Sequence, residues 1–187
     1  MATNENHYET AHYLTKLLRA APEMAGLHMD EHGWVEVEEL LHNVTKYPLT
    51  RQLLEEIVTE DKKGRYQFSE DGRKIRCCQG HFLPWVDLGL EPVQPPDVLY
   101  HGTTAEAAQQ IMENGRIDKM RRNHVHMQAD TAKAWQSAQR RRGKTGVLLV
   151  IDAKAMGEAG YLFYRSENQV WLTDHVPTIF IREILRD

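Results

Sequence analysis

The chain is poor in cysteine. Among 187 residues only Cys77 and Cys78 occur, and sequence neighbours rarely bridge each other. That excludes a disulfide framework and a cysteine-built zinc site, and it predicts a reducing, cytoplasmic setting. No apolar run approaches the ~20 residues a membrane span needs, and the mean hydropathy of -0.58 is that of a soluble globular protein. No membrane partner is expected. The opening Met-Ala-Thr-Asn-Glu-Asn has neither a basic nor an apolar region, so no secretory signal is predicted. A Walker loop, G-x-G-x-x-G, H-E-x-x-H and a nucleophile elbow are all missing. His124 and His126 lack a third histidine or a cysteine at ligand spacing, so no metal is expected. Positive charge is not in excess either. The net charge of -4 excludes a general polyanion binder.

What positive charge there is comes in clusters: Arg73 to Arg76, Lys119 to Arg122, and Arg140 to Lys144. Such runs are usually solvated faces, but three of them in an acidic chain mark a localised anion site. Leu14, Leu17 and Leu18 fall at helical spacing in residues 1–21, with Pro22 ending the helix. A second helix is predicted over Glu38–Asn43. A third is capped by Thr50, carries Leu53, Leu54, Ile57 and Val58 on one face, and is closed by Gly64. Tyr66–Phe68 and Lys74–Cys77 alternate around Asp71-Gly72, a hairpin signal. Three short helices and a hairpin outline a winged-helix-like lobe over residues 1–92. The proline-rich stretch that follows reads as a linker at 93–97.

The rest of the chain is organised around Val98-Leu-Tyr-His101-Gly102-Thr103-Thr104. Val98-Leu-Tyr100 reads as a short buried strand that runs into His101-Gly-Thr-Thr104, and a helix, Ala105–Asn114, follows. A histidine at a strand end, a glycine that admits close approach and a hydroxyl at a helix start suit a sugar-phosphate ligand. The same pattern also fits an ordinary strand-turn-helix with Thr103 or Thr104 as N-cap. Beyond Gly115, His124-Val-His126-Met127 alternates, so the two histidines share one face. Asp130 or Thr131 opens a helix to about Arg142, and Val147–Ile151 reads as a central strand. Arg165–Gln169 is a candidate active-site loop, and Ile179–Ile181 with Ile184 a last strand. The class is α+β. Arg19, Arg76 and Arg141 lie in three separate elements, and guanidinium groups grip phosphate through two parallel hydrogen bonds.

Ordered over nearly the whole chain are Leu17-Leu-Arg19, Asp30-Glu-His-Gly-Trp-Val35, Ile75-Arg76-Cys-Cys-Gln-Gly-His81, Leu99-Tyr-His-Gly-Thr103, His124-Val-His126, Asp130-Thr131, Arg141-Arg-Gly-Lys144 and Ser166–Asp174. In these motifs the sequence resembles the NAD-dependent RNA 2'-phosphotransferases. The resemblance implies a C-terminal, ADP-ribosyltransferase-like split β lobe over 98–187, NAD as co-substrate, and an RNA partner bearing an internal 2'-phosphate. It implies that the 2'-phosphate passes to ADP-ribose, leaving a 2'-hydroxyl on the RNA, nicotinamide, and ADP-ribose 1'',2''-cyclic phosphate. Arg19, Arg76 and Arg141 match the phosphate-gripping arginines, Arg141 within a contiguous run of three. His101, Gly102 and Thr103 match the segment holding the adenosine side of NAD. His126 matches a second pocket histidine, and Val170 stands where other clades carry glutamate. Two positions depart from the family. Ala20 follows Arg19 where a histidine is usual, and Phe82 follows His81 where a serine is usual. Either His81 or His124 replaces that histidine, or activity is weak, or the reaction stops at an ADP-ribosylated nucleic-acid phosphate. A silent NAD- or RNA-binding module is the remaining reading. A monomer is expected.

Overall fold

A computed structural model describes residues 2–140 and 143–186, with side chains from His7 onward. The chain divides into two compact units, Met1–Gly89 and Leu90–Asp187.

In the first unit, α1 (Ala2–Arg19) is followed by a 3₁₀ turn at Pro22–Ala25, β1 (Val35–Glu36), α2 (Val37–Asn43), α3 (Arg51–Glu60), β2 (Tyr66–Phe68) and β3 (Lys74–Cys77). Leu14, Leu17 and Leu18 are fully buried and pack with Leu40, Leu54, Ile75 and Cys77. Thr50 caps α3 by accepting from the Leu53 N–H at 3.1 Å. The helix ends at Glu60, earlier than its glycine. Asp61 takes the end position, and its carboxylate binds the Arg65 N–H and guanidinium in the following turn. Gly64, at φ +54, shapes that turn instead of closing the helix. The sheet order is β1-β3-β2, antiparallel throughout, with Val35 opposite Ile75 and Gln67 opposite Arg76.

The second unit begins at Leu90 and includes the proline-rich stretch. The Val93 N–H donates to the Phe163 carbonyl at 2.8 Å, and a Cβ on Gly157 would lie 3.3 Å from Pro95. Its elements are β4 (Val98–Thr104), α4 (Ala105–Asn114), β5 (Arg116–Asp118), β6 (Val125–Met127), α5 (Thr131–Ala138), β7 (Gly146–Asp152), α6 (Ala153–Glu158), β8 (Tyr164–Arg165), β9 (Trp171–Thr173), β10 (His175–Pro177) and β11 (Ile181–Arg186). They form antiparallel sheets ordered β11-β7-β4, β6-β9-β8 and β10-β5. Strand β7 is apolar from Val147 to Ile151 because both of its faces are covered there. Leu148 packs on Ala134 and Ala138 of α5, while Val147, Leu149 and Ile151 join the main core. Ile179–Phe180 lies in a 3₁₀ turn after Pro177, and the last strand starts only at Ile181. The helix expected to reach Arg142 stops at Ala138, where Gly146 packs so closely that a Cβ would meet the Ala138 backbone at 3.1 Å.

The segment His101–Thr104 is strand, not turn, and continues β4 to the start of α4. Thr104, not Thr103, is the N-cap, accepting from the Ala107 N–H at 3.2 Å, and Gly115 ends the helix at φ +79. What approaches Gly102 is a helix. A Cβ there would lie 2.3 Å from the Ala134 carbonyl oxygen and 2.9 Å from the Ala138 nitrogen. These are backbone atoms that cannot swing aside. Gly102→Ala is therefore expected to destabilise the second unit by about 3 kcal/mol, read as a lower urea midpoint at unchanged slope. A midpoint within error of wild type would show that α5 does not pack as described.

Candidate active site

In the first unit, the end of α1 meets the segment after β3. Arg19 is the last residue of α1. Its carbonyl accepts from the Phe82 N–H at 2.8 Å, and the His81 ring bonds to the Leu18 carbonyl one residue earlier. A helix leaves its last carbonyls unsatisfied, and here residues 81–82 satisfy two of them. Arg19 Nε, Gln79 Oε1 and His81 Nε2 are nonetheless buried without a protein partner. Buried polar atoms are nearly always paired, and of these three only Arg19 Nε, at the end of α1, is a donor that an anion could satisfy.

Arg76 sits on β3, whose alternation buries Ile75 and Cys77 and turns residue 76 to the other face. Its Nε donates to Gln67 Oε1 at 3.1 Å, and its Nη1 donates to the carbonyls of His32 and Leu88 at 3.1 and 3.2 Å. The guanidinium lies over Trp34, 4.3 Å from the ring centroid. The pairing of β1 with β3 brings this tryptophan to the arginine, and residues 30–35 carry the corresponding sequence motif. Gly33, at φ +80, belongs to the same construction, because a Cβ there would lie 3.0 Å from His81 Nε2.

The electrostatics fit a cationic site awaiting an anion. The His81 ring is pushed down to about 4 by burial first, then by the charges of Arg19 and Arg76, against the pull of its Leu18 hydrogen bond. Burial pushes the Cys77 thiol up to about 11 despite the Arg19 charge beside it. The histidine is neutral at pH 7. Its unfolded form takes a proton near pH 6.5, so between about 6.5 and about 4 the unfolded chain binds more protons. Stability is therefore full above that window and falls by about 3 kcal/mol as pH drops through it. Urea midpoints of wild type and His81→Asn across this range check it. A slope that survives the substitution would assign it to another group.

In the second unit, His101 lies on β4 opposite Leu149. Its Nδ1 is 2.8 Å from the His126 carbonyl. A carbonyl only accepts, so Nδ1 carries the proton and the neutral ring presents Nε2 as an acceptor. Burial lowers the His101 pKa, with this hydrogen bond opposing it. His126 is on β6 opposite Leu172, with Val125 and Met127 buried behind it. Val170 is buried just before β9. Its N–H donates to Ser166 Oγ at 3.1 Å, and its carbonyl accepts from the Ser166 N–H at 2.9 Å. The expected active-site loop is thus a closed turn, with Gln169 at φ +65. Thr103 is partly exposed on the same strand as His101. Beside this group lies a pocket of about 370 Å³ whose lining includes Gln128, Lys133, Arg165, Gln169 and Trp171. Arg141 lies outside the described residues.

A family model described as "RNA 2'-phosphotransferase, Tpt1 / KptA family" matches residues 5–175. A protein of Nostoc punctiforme named "Probable RNA 2'-phosphotransferase" is 47% identical over 174 residues, 92% of this chain and 94% of its own. Proteins with the same name from Fusobacterium nucleatum and Rhodopirellula baltica are 42% and 40% identical, over 95% and 97% of this chain and 99% and 98% of theirs. The chain belongs to the RNA 2'-phosphotransferase family. The matched stretch contains both arginine positions described here, the segment 101–103, His126 and Val170. What sequence reading missed in this family member is the role of Trp34 and the orphan at Gln79. The motif residues 30–35 and 79–81 signalled both, but only strand pairing shows which arginine they serve. Among the described residues, no helix is long and apolar enough to cross a membrane.

Proposed function

We propose that this chain removes an internal 2'-phosphate from RNA by transferring it to ADP-ribose drawn from NAD. The cationic site at Arg19 and Arg76, where the buried Arg19 Nε is a donor with no protein acceptor, carries this reading. NAD supplies an electrophilic ribose carbon with nicotinamide as leaving group, and a neighbouring hydroxyl that later takes the phosphate. The products are 2'-hydroxyl RNA, nicotinamide and ADP-ribose 1'',2''-cyclic phosphate. We read the first unit as a winged-helix-like RNA-binding lobe and the second as an ADP-ribosyltransferase-like lobe.

Arg19 and Arg76 grip the phosphate and offset the charge that builds on it during transfer, a task that its sequence motif alone assigns to Arg141 as well. The chemistry of the second-unit group suits NAD. Neutral His101 offers an acceptor for a ribose hydroxyl, Thr103 a hydroxyl of its own, and His126 lies against His101 through its carbonyl. Gly102 keeps this strand edge on α5. Val170 puts no carboxylate beside the cofactor. A nucleophile that is already anionic needs none to deprotonate it. The cytoplasm, with its reducing poise, is the setting proposed for a chain whose two cysteines are both free, and the active species is a monomer.

The test is nicotinamide release from NAD with and without a 2'-phosphorylated RNA. The reading predicts release only with the phosphorylated RNA, and release independent of it contradicts the reading. A second reading has its own observation. Ala20, just after α1, puts no side-chain acid or base on the residue following Arg19, and the nearby His81 ring is held neutral. A chain that stops after the first step would leave ADP-ribose on a nucleic-acid phosphate, an adduct that mass analysis identifies.

A further inference from the structure

We propose that Trp85 is a stacking platform for a nucleobase flanking the phosphorylated nucleotide of an RNA substrate. This rests on the RNA reading above and adds a specificity element to it.

Leu83-Pro84-Trp85-Val86 is a β-turn. The Val86 N–H donates to the Leu83 carbonyl at 3.0 Å, with proline in the second position, where its fixed φ suits such turns. Trp85 follows at the tip and is 51% exposed, and Phe82 is 39% exposed. A single exposed aromatic is ordinary. This one differs in how it is held. Val86 is buried beneath the turn. On one side Phe82 is fixed by its N–H to the Arg19 carbonyl. On the other, the Asp87 N–H donates to the Glu31 carbonyl at 2.8 Å, His32 Nδ1 donates to the Asp87 carbonyl at 2.6 Å, and Arg76 donates to the Leu88 carbonyl. The loop that presents the indole is therefore anchored on the two arginines that grip phosphate.

The other described tryptophans near a cation are already engaged, Trp34 under Arg76 and Trp171 under Arg165. Trp85 has no aromatic or cationic partner among the described residues. Cations for a phosphate, and an exposed aromatic ring on the loop bonded to the same two residues, match the two halves of a nucleotide. Single-stranded RNA is commonly read by stacking splayed bases on such faces, with little dependence on base identity. A loop whose backbone is already held by these bonds also loses little freedom on binding.

The test uses two oligonucleotides with the same internal 2'-phosphate, one with normal bases and one abasic at the two flanking nucleotides. Affinities are measured by fluorescence anisotropy at several salt concentrations. Trp85→Ala is expected to weaken the base-bearing RNA about five- to a hundredfold and the abasic RNA less than about twofold. Trp85→Phe is expected to recover most of the loss. The salt dependence should not change, because no phosphate contact is removed. Unchanged affinity for the base-bearing RNA, or equal loss on both RNAs, overturns the platform while leaving the RNA reading intact. Wild-type protein that binds neither RNA overturns both.

Discussion

Replacing Arg76 with alanine is expected to lower the single-turnover rate of 2'-phosphate removal by about a thousandfold, the scale of losing a preorganised donor to a developing negative charge. The residue does two things at once. Its guanidinium ties Gln67 to the carbonyls of His32 and Leu88 and covers Trp34, and its charge bears on His81. Alanine therefore also leaves acceptors short of a donor, at about 1–3 kcal/mol for such a group. Arg76→Lys separates the roles. Lysine keeps the charge but lacks the planar fork, so stability should recover further than rate. Thermal unfolding beside quenched single-turnover assays reads both. An Arg76→Ala rate within tenfold of wild type would remove this arginine from the phosphate grip.

Placing histidine at position 20 is expected to speed the second step, transfer of phosphate to the ribose hydroxyl, by about a hundredfold, with less than a tenfold effect on the first. The Ala20 N–H still bonds to the Lys16 carbonyl at 3.0 Å, so a longer side chain there leaves the helix end in place. It would stand next to Arg19 and close to His81, which burial and two arginines hold neutral. A buried neutral histidine with one nitrogen on the Leu18 carbonyl is a poor substitute for a proton donor, and of the readings open at Ala20 this favours a slow second step. Loss of an accumulating ADP-ribosylated adduct in Ala20→His, followed by mass analysis over time, is the expected signature. Equal acceleration of both steps, or none, would show that position 20 does not serve the transfer.

Much of the local structure was legible because its causes are local. Thr50, Thr104 and Asp130 each cap the helix that follows, since a short side-chain acceptor reaches an N–H three residues on. The hairpin around Asp71-Gly72 needs only its turn, with Gly72 at φ +68. The unbroken apolar run of β7 reads as central because a strand covered on both faces tolerates no polar residue. Of the failures, two come from neighbouring side chains that override a local signal and one from long-range packing. Gly64 looks like a helix end until Asp61 and Arg65 close the turn before it. Ile179 and Phe180 look like strand until Pro177 imposes a 3₁₀ turn. The glycine at 102 looks like a ligand approach, whereas the atoms that approach are those of α5.

The candidate site was legible as residue types, not as contacts. Arg19, Arg76 and His81 were visible as motif members, but neither periodicity nor spacing places His81 against the end of α1. Trp34 reaches Arg76 because β1 pairs with β3, forty residues apart in sequence. Likewise His101 meets the His126 carbonyl across two strands that pair with different partners. Strand register is set by the whole core and cannot be read from either segment alone.

The central claim is that an RNA 2'-phosphate ends on ADP-ribose taken from NAD. Its most direct measurement is incubation of the purified chain with NAD and a short RNA bearing one internal 2'-phosphate, with both products weighed by mass spectrometry. The account predicts RNA lighter by one phosphate together with ADP-ribose cyclic phosphate. RNA that loses its phosphate without NAD, with inorganic phosphate as the other product, would contradict it.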